Sequence, residues 1–83
     1  MGYLSMYGYV MEAVAFGMET YSTIKKYIES NFGSITDQTL SNNLLSLIKQ
    51  GFLEYHYKES RKIYDIPDPV VKKVCTQMRL NPI

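Results

Sequence analysis

The sequence has little of several residue types that commonly carry chemistry. It contains one cysteine and one histidine, which argues against both a disulfide framework and a cysteine-cluster metal site. No apolar run approaches the roughly 18 residues of a membrane span. An excess of charge is also missing, because nine Lys and Arg face eight Asp and Glu, a formal net charge of +1. That balance neither indicates nor excludes a nucleic-acid partner. Without a recognisable signal peptide, we expect an intracellular, cytoplasmic location.

Arrangements that would support catalysis are also lacking. No Ser-His-Asp, Cys-His, paired-carboxylate or glycine-rich phosphate-binding pattern is present, so we expect no enzymatic activity, no metal and no cofactor. His56 has no second ligand at a matching spacing and is expected to be a half-buried strand residue. Cys75 is expected to be a small buried apolar residue. In a symmetric dimer it could instead face its own copy and form an intersubunit disulfide.

The residues that are present suit one small domain. Its 83 residues, of which 46% are hydrophobic, can fold as a single domain (1–83) around one core, with little stability in reserve. The chain contains no internal repeat and no low-complexity tract.

A capped amphipathic helix is predicted over 36–50. Thr36 suits the N-cap and Gly51 suits the left-handed position that ends a helix. Apolar residues at helical spacing form one side: Leu40, Leu44, Leu47 and Ile48. Polar residues form the other side: Gln38, Asn42, Ser46 and Lys49. Leu45, at the edge of the apolar stripe, is expected to complete the core, with contact to a thymine methyl group as the alternative.

A β-hairpin, or wing, is predicted over 52–66. The run from Phe52 to Tyr57 is rich in aromatic residues, and its two-residue alternation places Leu53, Tyr55 and Tyr57 on one side. Lys62 to Ile66 can pair back with it across a charged turn. Lys58, Arg61 and Lys62 give this hairpin a basic tip. A polar-faced helix followed at once by such a hairpin is typical of winged helix-turn-helix domains, in which the helix enters the major groove and the wing reaches the flanking backbone.

Three further helices complete the predicted order of helix, helix, helix, strand, strand, helix. A first helix covers Tyr3 to Phe16, a second begins at a Thr20 or Ser22 cap and ends at Gly33, and a last one covers 69–80 after an Asp68 cap. The first helix is apolar on more than one side, and the last follows a unit that is already complete. We therefore expect 1–16 and 69–80 to be dimerisation helices. The alternative for the tyrosines of the first helix is that they lie on their own domain.

The second half of the chain resembles the ArsR-type winged-helix transcriptional regulators. In that family a polar helix leads through an apolar pair and a Gly to the wing, an Arg-x-x-Tyr returns the second strand, and an Asp-Pro opens a dimerising helix. The matching residues here are Ser41, Leu44, Leu47, Gly51, Phe52, Leu53, Arg61, Tyr64, Asp68 and Pro69. MarR-type and PadR-type regulators share much of this pattern.

The resemblance implies a homodimer that binds double-stranded DNA. It would place Gln38, Ser41, Asn42 and Lys49 on the groove-facing side and Lys58, Arg61 and Lys62 on the wing. The paired cysteines and the Asp and His ligands of the metal-sensing members are missing here, so a metal-sensing role is not expected. Lys25 and Lys26 could add phosphate contacts, although exposed lysine pairs usually serve solubility.

A second, local likeness concerns YSTIKKYIESNFG, which is similar to the second helix of linker-histone globular domains. That family is also winged-helix but strongly basic, unlike this chain. Our functional hypothesis is a homodimeric, sequence-specific transcriptional regulator that reads DNA with helix 36–50 and grips the backbone with wing 52–66. The alternative is a winged-helix protein-interaction module that does not bind DNA.

Overall fold

The computed structural model describes residues 6–80, with side chains up to residue 76. Within that range the elements are α1 (Met6–Ala15), α2 (Tyr21–Asn31), α3 (Asp37–Lys49), β1 (Glu54–Lys58), β2 (Arg61–Asp65) and α4 (Pro69–Leu80). Their order is the one predicted from the sequence. Tyr3 and Leu4, which are predicted to belong to the first helix, lie outside the described residues.

Helix α1 occupies the centre of the domain. It packs against α2, α3, α4 and β2, and its small and medium apolar side chains are buried around most of its circumference: Val10, Met11, Ala13, Val14 and Ala15. Its two described tyrosines rest on the domain itself. The ring of Tyr9 lies 4.7 Å from the ring of Phe32, and the Tyr7 hydroxyl donates to Ser46 Oγ at 3.2 Å. Both tyrosines therefore contact their own domain, and Tyr7 keeps 40% of its surface exposed.

Helix α2 begins with a capping box and ends earlier than predicted. The Thr20 hydroxyl accepts from the Thr23 amide, and the Thr23 hydroxyl accepts in return from the Thr20 amide. The helix ends at Asn31 rather than Gly33, with Phe32 as its C-cap. Phe32 is 52% exposed, because it lies beyond the last helical turn, where its ring meets Tyr9.

Helix α3 has the ends that its sequence predicts. The Thr36 hydroxyl accepts from the Thr39 amide at 3.1 Å. At the other end Gly51 has φ +84°, and the amide of Phe52 donates to the carbonyl of Leu47 at 3.0 Å. A residue with a Cβ is strained at such a φ, so glycine fits this stop.

The hairpin pairs in one fixed register. Glu54 lies opposite Asp65 and Lys58 lies opposite Arg61. Arg61, expected in the turn, is therefore the first residue of β2, and the turn shrinks to Glu59 and Ser60. The outer edge of β2 is tied to the α1–α2 loop, because the Tyr64 amide donates to the Glu19 carbonyl at 2.8 Å.

Helix α4 starts at the predicted cap and lies along α1. The Asp68 carboxylate accepts from the Val70 amide at 2.9 Å, and Val71 and Cys75 pack against the core. Three helices, a two-stranded antiparallel hairpin and a final helix make a mainly α winged-helix fold.

Candidate nucleic-acid interface

The outward face of α3 is mainly polar. Leu40, Leu44 and Leu47 turn one side of α3 into the core, so the opposite side faces solvent. The residues predicted to face the DNA groove are all exposed there: Gln38, Ser41, Asn42 and Lys49. Their side chains offer amide, hydroxyl and ammonium groups, which can bond to base edges and phosphates.

Leu45 does not complete the core, and that prediction from the sequence is wrong. Its side chain is 56% exposed, because it lies four residues after Ser41 and four before Lys49, on the same face as both. The sequence carried that signal. Its spacing from Ser41, Asn42 and Lys49 outweighs its apolar character, which had led us to group it with the buried stripe.

Ser46 is less exposed than predicted. It was assigned to the outward side of α3, but its hydroxyl accepts from Tyr7 of α1 at 3.2 Å and from Gln50 Nε2 at 3.0 Å. Ser46 therefore fastens α3 to α1 and belongs to the border of the face, outside its centre.

The start of α3 is fastened to α2 by polar side chains. Lys25 Nζ donates to Asp37 Oδ1 at 2.8 Å, and the Tyr21 hydroxyl donates to the same oxygen at 3.0 Å. The Lys25 hydrogen bond, followed by the Tyr21 one, lowers the pKa of Asp37 below its usual range. The bond to Asp37 raises the pKa of Lys25. The Lys25 ammonium is thus engaged within the domain.

The strand register separates the three basic residues of the wing. Residues paired across two strands share a face, so Lys62, opposite Tyr57, lies on the face that also carries Tyr55 and Tyr64. Lys58 and Arg61 lie opposite each other on the other face, next to the turn. The three basic residues predicted for the wing tip thus divide between its two faces, with Lys58 and Arg61 on one and Lys62 on the other.

Lys58 and Arg61 lie opposite each other as a pair of like charges. Neither makes an ion pair with any side chain of residues 6–76. Like charges placed directly across two strands repel each other. An anionic group bound between these two side chains would relieve the repulsion.

Lys62 lies beside the outward face of α3. Its Nζ is 4.2 Å from the centre of the Tyr55 ring and 5.4 Å from that of Tyr64, a cation–π arrangement that holds the ammonium in place. A cleft of about 220 Å³ lies between the wing and α3, and its lining is Tyr21, Ser41, Leu44, Leu45, Ile48, Lys62 and Tyr64. Because α3 and the wing line the same cleft, they form one surface.

The wing turn has an unusual backbone for its residues. Glu59 has φ +52° and Ser60 has φ +67°, the left-handed values that a tight two-residue hairpin turn requires at both central positions. Asn-Gly is the preferred pair for such a turn, and Glu-Ser lacks that advantage. The turn therefore holds local strain.

His56 and Cys75 differ from their predicted burial. His56 is exposed rather than half-buried, because every residue of β1 is exposed at the free edge of the hairpin. Cys75 is half-buried rather than fully buried, and burial followed by the nearby charge of Glu12 raises the pKa of its thiol. Among the described side chains no three His, Cys, Asp or Glu residues come together as metal ligands.

A second surface, the α1–α4 groove, is apolar. Its volume is about 290 Å³ and its lining is Tyr7, Gly8, Met11, Glu12, Leu47, Phe52, Val71 and Cys75. Beside it Val70 and Val74 of α4 are 68% and 48% exposed. These side chains of α1 and α4 lie on the two helices that the sequence assigned to dimerisation.

The helices within residues 6–80 lack the length and apolar character needed to span a bilayer.

Comparison with known proteins supports the fold. No protein-family model and no curated protein sequence matches this chain. The crystal structure of SSV1 F-93 matches it with a TM-score of 0.66 and 17% sequence identity, over 89% of this chain and 82% of that one. At this identity the likeness is one of fold alone, and it agrees with the winged-helix arrangement of the elements.

Proposed function

We propose that this chain is a sequence-specific, double-stranded DNA-binding protein that acts as a homodimeric transcriptional regulator. The observation that carries the proposal is the joined surface of α3 and the wing, in which Ser41 and Lys62 line the same cleft. A winged-helix domain that binds DNA needs such a surface, because one element enters the major groove while the next contacts the backbone.

The chemistry of the α3 face suits base reading. Gln38 and Asn42 can each bond in bidentate fashion to an adenine edge, and Lys49 can bond to guanine or phosphate. Ser41 can donate to a base or to a phosphate. All four side chains are exposed, so a groove could reach them without rearrangement of the core.

The wing suits the phosphate backbone. Lys58 and Arg61 at the tip are unpaired within residues 6–76, and binding of phosphates by such side chains releases counterions and gains affinity at low salt. Lys62, held on Tyr55, would contact the backbone closer to α3. The small net charge of +1 is compatible with this role because the charges act by position.

The proposed dimer uses α1 and α4. Most soluble oligomers are symmetric dimers that use the same patch on both subunits, and the α1–α4 groove with Val70 and Val74 is the apolar surface suited to that contact. An intersubunit Cys75–Cys75 disulfide stays a prediction, which a non-reducing gel would test. Such a dimer would place the α3 helices of its two subunits in successive major grooves. Its occupancy of the site would block or recruit polymerase.

The proposed regulatory role and location are based on the sequence. The resemblance to ArsR-type and MarR-type regulators supports a regulatory role. An intracellular location and the lack of enzymatic activity, cofactor and metal stay expectations from the sequence. Titration of labelled duplex DNA with the purified protein tests the proposal. We expect binding at low salt that weakens as salt rises, and absence of binding at low salt would contradict it.

A second function is favoured by the α1–α4 groove. An apolar surface of this kind also suits a winged-helix protein-interaction module. Substitutions in the wing would affect DNA binding and partner binding differently. Replacement of Lys58, Arg61 and Lys62 by alanine would weaken DNA binding and its salt dependence, whereas a partner seated in the groove would be indifferent to it.

A further inference from the structure

Leu45 lies at the centre of the otherwise polar outward face of α3. Ser41 precedes it by one helical turn, Lys49 follows it by one turn, and Asn42 lies three residues before it. Its side chain is 56% exposed. An exposed leucine is ordinary on its own, but one in the middle of a base-reading face has a defined chemical environment once that face is covered.

The position of Leu45 separates it from the α1–α4 groove. It lines the cleft between α3 and the wing, together with Ser41 and Lys62, and is not part of the α1–α4 lining. Any partner that covers α3 and is gripped by the wing would therefore bury Leu45, whether or not the α1–α4 groove is occupied.

In a major groove the base edges are mostly polar. The 5-methyl group of thymine is the apolar feature that they present, whereas cytosine presents an amino donor that needs a hydrogen-bond partner. A leucine pressed against that amino group would leave it without one, which is unfavourable in a site that excludes water.

We propose that Leu45 contacts the 5-methyl group of a thymine and makes thymine the preferred base at that position of each half-site. The inference rests on the proposed DNA-binding function and adds a specificity-determining residue to it. Gln38, Ser41 and Asn42 would read the neighbouring bases by hydrogen bonds, and Leu45 would read the apolar group between them.

Deoxyuridine tests this contact, because it keeps the hydrogen-bonding groups of thymine and lacks only the methyl group. A bound sequence is first selected from a random duplex library, and each thymine is then replaced in turn by deoxyuridine. For the original protein we expect one position per half-site to weaken binding about four-fold, the effect of one buried methyl group. For Leu45→Ala the same replacement should change affinity by less than about two-fold, as expected for two groups that act as one contact.

Asn43→Ala is the matched control. Asn43 lies on α3 but off the outward face, where its amide donates to the Thr39 carbonyl at 2.7 Å, so this variant should keep the full response to deoxyuridine. The inference is overturned if no thymine responds, or if the response is equally large in Leu45→Ala. If the protein binds no duplex at all at low salt, the proposed function fails as well, and the two failures are thereby distinguished.

Discussion

Asp37 joins the start of α3 to α2 through two donors. Lys25 Nζ and the Tyr21 hydroxyl both reach Asp37 Oδ1, at 2.8 and 3.0 Å. Both groups favour the ionised carboxylate, which also complements the positive end of the α3 dipole. This small polar cluster helps to set the direction in which α3 leaves the α2–α3 turn, and with it the direction of the outward face.

We expect Lys25→Met to raise the pKa of Asp37 towards its ordinary value, because the hydrogen bond from Lys25 is the main cause of the lowered pKa. A carboxyl whose folded-state pKa is lowered stabilises the protein above its unfolded-state pKa, and that contribution is lost as pH falls through the folded-state value. The variant should therefore lose less stability on acidification. Carboxyl NMR titration measures the pKa directly.

Lys26→Met is the control for this experiment. Lys26 is the neighbour of Lys25 on α2 and is exposed, and its removal changes the total charge equally. It should leave the titration of Asp37 nearly unchanged. An Asp37 carboxyl that titrates at the same pH in Lys25→Met and in the original protein would contradict the contact.

The wing turn holds two consecutive non-glycine residues in the left-handed region, Glu59 and Ser60. We expect the double replacement Glu59→Asn and Ser60→Gly to stabilise the protein by about 1 kcal/mol, because Asn and Gly adopt left-handed φ values at lower cost. In a domain of this size that corresponds to a rise in melting temperature of roughly 4–8 °C, measured by circular dichroism.

Glu59→Gln separates backbone conformation from charge in that comparison. It removes the carboxylate between Lys58 and Arg61 but keeps a side chain that is poorly suited to φ +52°. We expect it to give no stabilisation. Equal melting temperatures for the original protein and the Asn-Gly variant would show that the turn holds no relievable strain.

Much of the element order was predictable, because its signals are local. The Thr36 cap, the Gly51 stop and the spacing of Leu40, Leu44 and Leu47 each depend on a few neighbouring residues, and the structure confirms them. The wing was predicted less accurately. Glu-Ser is not a pair that marks a tight turn, so Arg61 was assigned to the turn instead of the strand.

The candidate site was predictable only in part for a related reason. Exposure of Gln38, Ser41 and Asn42 follows from helical spacing alone. The position of Lys62 over Tyr55 depends on which residues pair across the strands, and the Lys25–Asp37 contact joins two helices. Neither is encoded in a local pattern. Leu45 was misplaced because its apolar character was given more weight than its spacing.

One side of the domain carries the α3 and wing surface, and a separate apolar surface runs along α1 and α4. The residues lining the α3–wing cleft and those lining the α1–α4 groove do not overlap. Occupation of one surface therefore leaves the other accessible, so the proposed DNA contact and the proposed dimer are compatible.

We expect Val70→Glu combined with Val74→Glu to convert a dimer into a monomer. Both side chains are largely exposed in the single chain, at 68% and 48%, so the fold should survive, whereas two carboxylates in a symmetric apolar contact would meet their own copies. Sedimentation equilibrium measures the change, and circular dichroism checks the fold.

Lys73→Glu is the control for the dimer experiment, because Lys73 is an exposed residue of the same helix. It should leave the association state unchanged. A wild-type protein that sediments as a monomer at micromolar concentration would contradict the proposed dimer, independently of any result with DNA.

The most direct test of DNA binding is fluorescence anisotropy of a mixed pool of labelled duplexes at about 50 mM and about 200 mM salt. We expect binding that weakens by roughly 100-fold or more across this range, as for about four phosphate contacts. Replacement of Lys58 and Arg61 by alanine should reduce the salt slope by about 0.9 for each phosphate that the wing no longer neutralises. The charge-matched change of Lys72 and Lys73 to alanine on α4 should leave the slope unaltered. Absence of binding at the lower salt would contradict the proposed DNA-binding function and favour the protein-interaction module.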